Sequence, residues 1–344
     1  MNKDHYPSMN PLFDILLGPI KMAVLEAALE LKIADLLEQA TELADIARAL
    51  DIQTDPAGLG FFLDSMVSMG FVEKCGTQYT NTDFGKHFLC STSPVYMDGF
   101  VKNITAMQYR NLPSIAHIIR NGPPRVAPGQ DLTNEAKWEN AVAHLASYQR
   151  AGAARLAADL VESLPEYATA SRLLDLGGGP GIMGMEMVRR HPGLSGVLMD
   201  LPGIIHLARK EVDKEGLESK ISFIAGDYNE VDLGGKYDII WASHNLYYVK
   251  DRVAFFRRVK AAMTHSGVFI CLHEGLTEER TKPMSVVLPR LSLALEGQDV
   301  SFEKGQIAAL LKEAGFSRVE TRPFSLGMGE GELVVARKNK GGNP

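Results

Sequence analysis

Three aspartates stand where apolar runs end. Asp175 lies near the end of Arg172–Leu176, Asp200 directly follows Gly196–Met199, and Asp227 follows Ile221–Gly226. Each run reads as a β-strand, and strands of a parallel sheet bring their carboxyl ends to one edge, where ligands bind. The first run enters the turn Gly177-Gly178-Gly179-Pro180-Gly181, whose glycines permit positive φ angles and close approach of backbone N–H groups to a ligand. Gly179-x-Gly181-x-x-Gly184 has the form of a dinucleotide fingerprint. Asp175 argues against that reading, because a carboxylate beside the turn repels a pyrophosphate and attracts a cation.

Asp200, about 20 residues further on, can accept from ribose hydroxyls. Asp227, in Gly226-Asp227-Tyr228, can accept from a base amino group, with Tyr228 as a ring neighbour. Singly, each Asp also reads as a cap for the next helix. Together they describe a seat for a cationic nucleoside without phosphates, which is what S-adenosyl-L-methionine is. Transfer of its methyl group is an in-line displacement, so an acceptor must be aligned with it. A phenolic acceptor has a pKa of about 10 and benefits from a base. His244 and Tyr247 follow the apolar run Tyr237–Ala242, and His273 follows Val268–Leu272. Histidine suits the task; an unperturbed tyrosine does not. His265, in a turn with Ser266 and Gly267, reads as a solvated residue. No clustered Cys/His/acid spacing signals a metal site.

The elements that must position these residues alternate strand and helix from residue 172 onward: helices are predicted over Ile182–Arg190, Pro202–Glu215, Val253–Met263 and Gln306–Ala314, and a late strand over Leu333–Ala336. That is the pattern of an α/β doubly wound, mainly parallel sheet. Upstream, apolar residues from Pro11 to Ala40 recur at helical spacing, with Leu25, Leu29, Ile33, Leu36 and Leu37 on one face. A short helix over Thr41–Leu50, another capped by Thr54 or Asp55 and running to Met69, and a hairpin of Phe71–Lys74 and Gln78–Thr80 outline a winged helix. Its would-be recognition helix contains Asp55 and Asp64 and no Lys or Arg, which points to packing or dimerisation and away from DNA. Residues 84–166 read as mostly helical, broken at Ser93-Pro94 and from Gly122 to Gly129; Trp138–Leu164 reads as one long helix interrupted near Gly152. His144, Tyr148 and Arg150 on it read first as packing residues, and Met107, Tyr109, Trp138, Tyr148 and Met284 are candidates for an acceptor pocket.

Composition sets the outer bounds. The chain has 344 residues, 45% hydrophobic and 23% charged, with a formal net charge of -6. That length suggests two domains, and the charge gives no pull toward nucleic acid. The three cysteines, Cys75, Cys90 and Cys271, are far apart and form no CxxC, which fits a reducing cytoplasm. The polar stretch Met1–Asn10 lacks the apolar core of a signal peptide, and no apolar run approaches the length of a membrane span.

The segments LLDLGGGPG, MDLP, AGDY and YDIIWASHNLYYVKD, with the late LLKEAGF, resemble the class I S-adenosylmethionine-dependent methyltransferases. The winged-helix front narrows the resemblance to small-molecule O-methyltransferases of plants and bacteria and extends it over residues 12–337. It implies a homodimer built through the front domain, an aromatic or conjugated small-molecule acceptor, and a cofactor seat of Asp175, Gly177, Gly179, Asp200, Leu201, Asp227, Tyr228 and Ser243. It also implies three regions: 1–90 for dimerisation, 91–166 for a helical linker and substrate cavity, and 167–340 for the cofactor. In that family a histidine base follows the fourth strand; with Asp238 and Asp251 as anchors, its place is taken here by Tyr247, preceded by Leu246. Three readings remain. His244 is the base; or His273 is; or the acceptor is not a phenol and Tyr247 serves as acid or hydrogen-bond donor while a carbon is methylated, since a branch acting on bacteriochlorophyll-type pigments is similar in carrying Leu-Tyr here. Glu274 is a candidate for the acid that assists the base. A cofactor-binding homologue without catalysis and a nicotinamide enzyme are the readings from other classes.

Overall fold

The computed structural model describes residues 8–125, 135–327 and 329–338. The chain divides into two compact units, Met1–Gly99 and Phe100–Pro344. The part of the predicted break that falls on residues 126–129 lies outside the described residues.

In the first unit the predicted helical stretch splits into α1 (Asn10–Glu30) and α2 (Ile33–Leu36), because Lys32 takes a left-handed conformation at φ 49°. β1 (Thr41–Glu42) precedes α3 (Leu43–Ala49). The helix predicted from Thr41 thus starts two residues late, since Thr41 and Glu42 pair with Tyr79 and Gln78. α4 (Ala57–Ser68) begins behind Asp55, whose Oδ1 accepts from the Ala57 N–H at 2.9 Å. β2 (Val72–Cys75) and β3 (Gln78–Asn81) form the expected hairpin, and the sheet order is β1-β3-β2. Leu29, Ile33, Leu37, Ile46, Leu63 and Met66 make the core. Away from it, α1 exposes Leu12, Phe13, Ile15, Leu16 and Ile20.

α5 (Asp98–Tyr109) leads from the first unit into the second, followed by α6 (Ile115–Asn121) and α7 (Glu135–Tyr148). At Gly152, with φ 148°, a π-helical turn over Gln149–Ala153 separates α7 from α8 (Ala154–Glu162), at the interruption the sequence predicted. Then the alternation begins: β4 (Arg172–Leu176), α9 (Ile182–Arg190), β5 (Ser195–Asp200), α10 (Pro202–Lys214), β6 (Ile221–Ala225), β7 (Tyr237–Ser243), α11 (Arg252–Ala262), β8 (Met263–His273), α12 (Met284–Ala294), α13 (Gln306–Glu313), β9 (Arg318–Phe324) and β10 (Gly331–Arg337). The seven-stranded sheet runs β6-β5-β4-β7-β8-β10-β9. β4 to β8 are parallel to one another, while β10 is antiparallel to both β8 and β9. This is a doubly wound sheet with helices on both faces. Its strands are apolar runs because both faces are covered: Leu173, Leu174, Ile239, Ile240 and Trp241 are fully buried.

Strand order reverses between β4 and β7, and a crevice opens at such a switch point beyond the carboxyl ends. Two elements have no strong sequence signal. β9 is an edge strand reading Arg-Val-Glu-Thr-Arg-Pro-Phe, mostly exposed, as edge strands that resist further pairing are. α12 carries Pro289 inside it, which masks its helical period.

Candidate active site

Asp175 is the last residue but one of β4, beneath the glycine turn. It is 2% exposed, and its Oδ2 accepts from the Gly184 N–H at 3.0 Å, satisfying one of the orphan donors in the first turn of α9. A Cβ on Gly184 would come within 2.7 Å of that same oxygen, so the close approach needs glycine. Burial pushes the Asp175 carboxyl up to about 7, the Gly184 bond counteracts and the Asp200 charge adds to the rise. At the next strand end, Asp200 accepts from Gly179 N–H at 2.9 Å and from Leu201 N–H at 2.8 Å. Asp227 Oδ1 accepts from both the backbone N–H and the Nδ2 of Asn229, each at 2.8 Å.

Asn245 was missed in the sequence. It is buried, its Nδ2 donates to the carbonyls of Leu176 and Gly177, and its backbone carbonyl accepts from the Tyr228 hydroxyl at 2.7 Å. Gly177 holds φ 64°, and any side chain there would run into Asn245. Burial raises the Tyr228 phenol far above its ordinary range, so it stays a donor.

These groups surround one cavity of 330 Å³, within the range of about 300–1,000 Å³ typical of small-molecule sites. Asp175, Gly177, Gly179, Asp200, Leu201, Asp227, Tyr228 and Ser243 all line it, as do Trp138, Met183, Asn245, Tyr248 and Lys250. Lys250 Nζ is paired with Glu230 at 2.7 Å. A wall with three acids and its cation already paired suits a positively charged nucleoside and not a pyrophosphate.

A second cavity of 390 Å³ is lined by Phe100, Ile104, Met107, Leu272, Val286, Leu293, Phe324 and other residues, with Gln108, Glu274, Arg290 and Ser301 among its polar groups. Tyr148, His244 and Leu326 line both cavities. The Tyr148 hydroxyl donates to Leu326 O at 2.8 Å, its ring stacks on Phe100, and burial moves the phenol up to about 12. Of the pocket candidates read from the sequence, Met107, Trp138 and Tyr148 therefore face a cavity, whereas Tyr109 and Met284 are exposed. Arg150 pairs with Glu211 instead.

The two candidate bases and Tyr247, the candidate acid or hydrogen-bond donor, occupy different places. His244 is exposed, sits at φ 52° just beyond β7, and turns Nδ1 to Glu274 Oε1 at 3.2 Å. A non-glycine residue in that region is uncommon and marks sites held by their surroundings; here the His244 N–H donates to Leu272 O at 3.0 Å. Tyr247 lines neither cavity. It stacks on Phe302 with ring centroids 5.3 Å apart and donates its hydroxyl to Glu274 Oε2. Burial, then the Glu274 charge, raises its phenol well above the ordinary value. His273 is 0% exposed, and neither ring nitrogen has a hydrogen-bond partner. Burial drives it down to about 3, the neighbouring His244 adds to the fall, and Glu274 opposes it. Burial alone would raise Glu274; His244, with the hydrogen bonds from His244 and Tyr247, outweighs it, and the carboxyl lies at about 2. His265 is exposed at the start of β8, away from both cavities. His244, His273 and Glu274 thus converge although 29 positions separate the first two and no ligand-type spacing announces them.

Comparison with known proteins gives the same picture. Residues 139–317 match the family described as O-methyltransferase domain, and residues 13–91 match the O-methyltransferase dimerisation domain. The chain is 24% identical over 327 residues, covering 91% of each protein, to 3-hydroxy-5-methyl-1-naphthoate 3-O-methyltransferase of Streptomyces sahachiroi. It is 24% identical to the N,N-dimethyltransferase OxyT of Streptomyces rimosus, covering 85% of this chain and 86% of that one. In fold it matches human N-acetylserotonin methyltransferase solved with S-adenosylmethionine, at a TM-score of 0.75 and 22% identity over 99% of this chain and 100% of the other. The seat of acids and glycines at the switch point and the two family matches lead to one assignment: the chain belongs to the S-adenosylmethionine-dependent O-methyltransferase family.

Proposed function

We propose that this enzyme moves the methyl group of S-adenosylmethionine onto a hydroxyl of an aromatic or conjugated small molecule, with His244 as the general base. The observation that carries the assignment is the position of His244 on the boundary of both cavities with Glu274 against its Nδ1. The cofactor supplies an electrophilic methyl group on a sulfonium. Asp200 receives the ribose hydroxyls, Asp227 and Tyr228 flank the base, Leu201 and Ser243 complete the walls, and Asp175 with the turn at Gly177 and Gly179 faces the methionine end. The acceptor ring lies in the 390 Å³ cavity among Phe100, Met107 and Phe324. His244 donates its Nδ1–H to Glu274 Oε1, which leaves the Nε2 lone pair to accept the hydroxyl proton as the oxygen attacks. Tyr247 is a positioning residue: its hydroxyl fixes the other oxygen of Glu274.

His244→Ala should lower kcat by about 10²–10⁴-fold, the usual contribution of a general base, while leaving the S-adenosylmethionine Kd unchanged. An unchanged kcat overturns the assignment. The acceptor panel includes amines and activated carbon nucleophiles beside phenols, because one relative is named for N-methylation. Turnover confined to carbon acceptors would favour C-methylation over transfer to a hydroxyl.

The first unit serves as a winged-helix dimerisation domain of a homodimer. Support comes from its family match over residues 13–91 and from the exposed apolar face of α1, where Ile15 is 70% and Ile20 60% exposed. Ile15→Glu should shift the protein to monomer in light scattering. A cytoplasmic location suits the three unpaired cysteines. No helix among the described residues is long and apolar enough to cross a membrane.

A further inference from the structure

We propose that His244, His273 and Glu274 form a binding site for a divalent transition-metal ion, and that occupancy of this site shuts off methyl transfer. The site itself stands on the geometry of the three residues; only the inhibition rests on His244 being the base.

The donor set is two imidazoles and a carboxylate, the combination that divalent zinc and its neighbours take most readily. Their candidate ligand atoms all lie within 4.8 Å of one another. Two imidazoles sharing one tetrahedral ion at about 2.1 Å per nitrogen place their ring centroids about 5 Å apart; His244 and His273 stand at 5.7 Å. A nitrogen and an oxygen on the same ion are separated by about 3.3 Å; His244 Nδ1 and Glu274 Oε1 are 3.2 Å apart. The His244–Glu274 pair thus already stands at ligand spacing, and the remaining separations, at most 4.8 Å, must close to about 3.3 Å when an ion binds.

His273 supplies the independent observation. A buried polar side chain almost always finds a partner, yet both nitrogens of His273 are unpartnered at 0% exposure. Its surroundings are Tyr247 and Phe302, whose rings meet it edge-on at 5.1 and 5.2 Å, so water is not invited by its walls. A metal would satisfy one nitrogen. Entry runs past His244, whose side chain is 37% exposed. Tyr247, donating to the second oxygen of Glu274, orients that carboxylate in the way outer hydrogen bonds orient metal ligands.

Coordination through His244 Nδ1 puts the remaining ring proton on Nε2, which then has no lone pair for the acceptor hydroxyl. The metal and the acceptor proton compete for one imidazole.

The test uses tag-free, full-length protein stripped with a chelator and titrated with Co²⁺ alone. The expected result is a visible ligand-field absorption band that saturates at one ion per chain, disappears on adding Zn²⁺, and is absent in His244→Asn and Glu274→Gln. Methyl transfer falls at least tenfold as the band saturates. No band, or a band unchanged in His244→Asn, overturns the site and leaves the base assignment intact. A band accompanied by faster transfer keeps the site and overturns the base assignment. His273→Ala opens a hole in the core, so His244→Asn, at an exposed position, carries the test.

Discussion

The raised carboxyl of Asp175, in the wall of the proposed cofactor cavity, predicts that cofactor binding is coupled to proton release. Its carboxyl is held at about 7 in the cofactor-free protein, against an ordinary 3.8, chiefly by burial. At pH 7 it is therefore roughly half protonated. A sulfonium placed about 5 Å away at an effective dielectric of about 20 favours the carboxylate by about 3 kcal/mol, or about two pKa units. The bound pKa then falls to about 5. The sign follows: binding releases a proton from Asp175, so affinity is highest above pH 7 and declines as pH drops through 7 toward 5. Between pH 8 and pH 6 the expected weakening is about tenfold.

The assay is calorimetry at pH 6, 7 and 8 in two buffers of different ionisation enthalpy, which reports protons released per ligand bound. S-adenosylhomocysteine is the internal control, since it carries the same ammonium and carboxylate without the positive sulfur. S-adenosylmethionine should release about half a proton more than the product at pH 7, and Asp175→Asn, which keeps an acceptor for Gly184, should abolish the difference. Equal release for the two ligands, or a difference that survives in Asp175→Asn, refutes the reasoning. Discrimination against the product, which lacks the positive sulfur, would then need another source.

The same group predicts a pH-dependent stability. A buried acid with a raised pKa contributes stability that is full below about pH 4 and lost as pH rises through about 7, on the order of 4 kcal/mol in all; Asp175→Asn should flatten the urea-unfolding free energy over that window. Gly177→Ala should cost about 1–3 kcal/mol and weaken cofactor binding, because φ 64° disfavours a side chain and Asn245 occupies its space; wild-type affinity in the variant would sink that reading. Asp200→Asn and Asp227→Asn should each weaken cofactor affinity by about 10–100-fold, the worth of a charge-assisted hydrogen bond, with the acceptor KM unmoved.

The cofactor edge was legible because its signals are local. Apolar runs mark buried parallel strands, the acids stand at their ends, and the glycines sit in one turn; these acids, Gly177 and Gly179 line one cavity, together with Leu201 and Ser243, which the family resemblance implied. The helix breaks at Gly152 and the hairpin at Gly76 were equally local. What escaped depends on distant partners. Asn245 looks like any loop polar residue until the Gly177 turn is folded against it. β9 is polar because it is an edge, and the two-residue strand at Thr41 exists only because β3 lies beside it. The meeting of His244 with Glu274 requires β7 and β8 to be neighbours in register, with Ser243 opposite Leu272.

That register also explains how the site tolerates tyrosine at 247. Because β7 and β8 are parallel and end together, the residues just past each end, His244 and Glu274, face one another. The loop after β7 then returns Tyr247 to the same carboxylate. A phenol held far above its ordinary pKa cannot take a proton from another phenol, but it remains a hydrogen-bond donor at every pH the fold survives. Glu274 so becomes the fixed point between the Tyr247 hydroxyl on one oxygen and the His244 imidazole on the other. A carboxylate in that position selects the imidazole tautomer with its lone pair on the far nitrogen. An exposed histidine at positive φ on the boundary of two cavities, with a carboxylate against its Nδ1, supports the proposed base over a loss of catalysis.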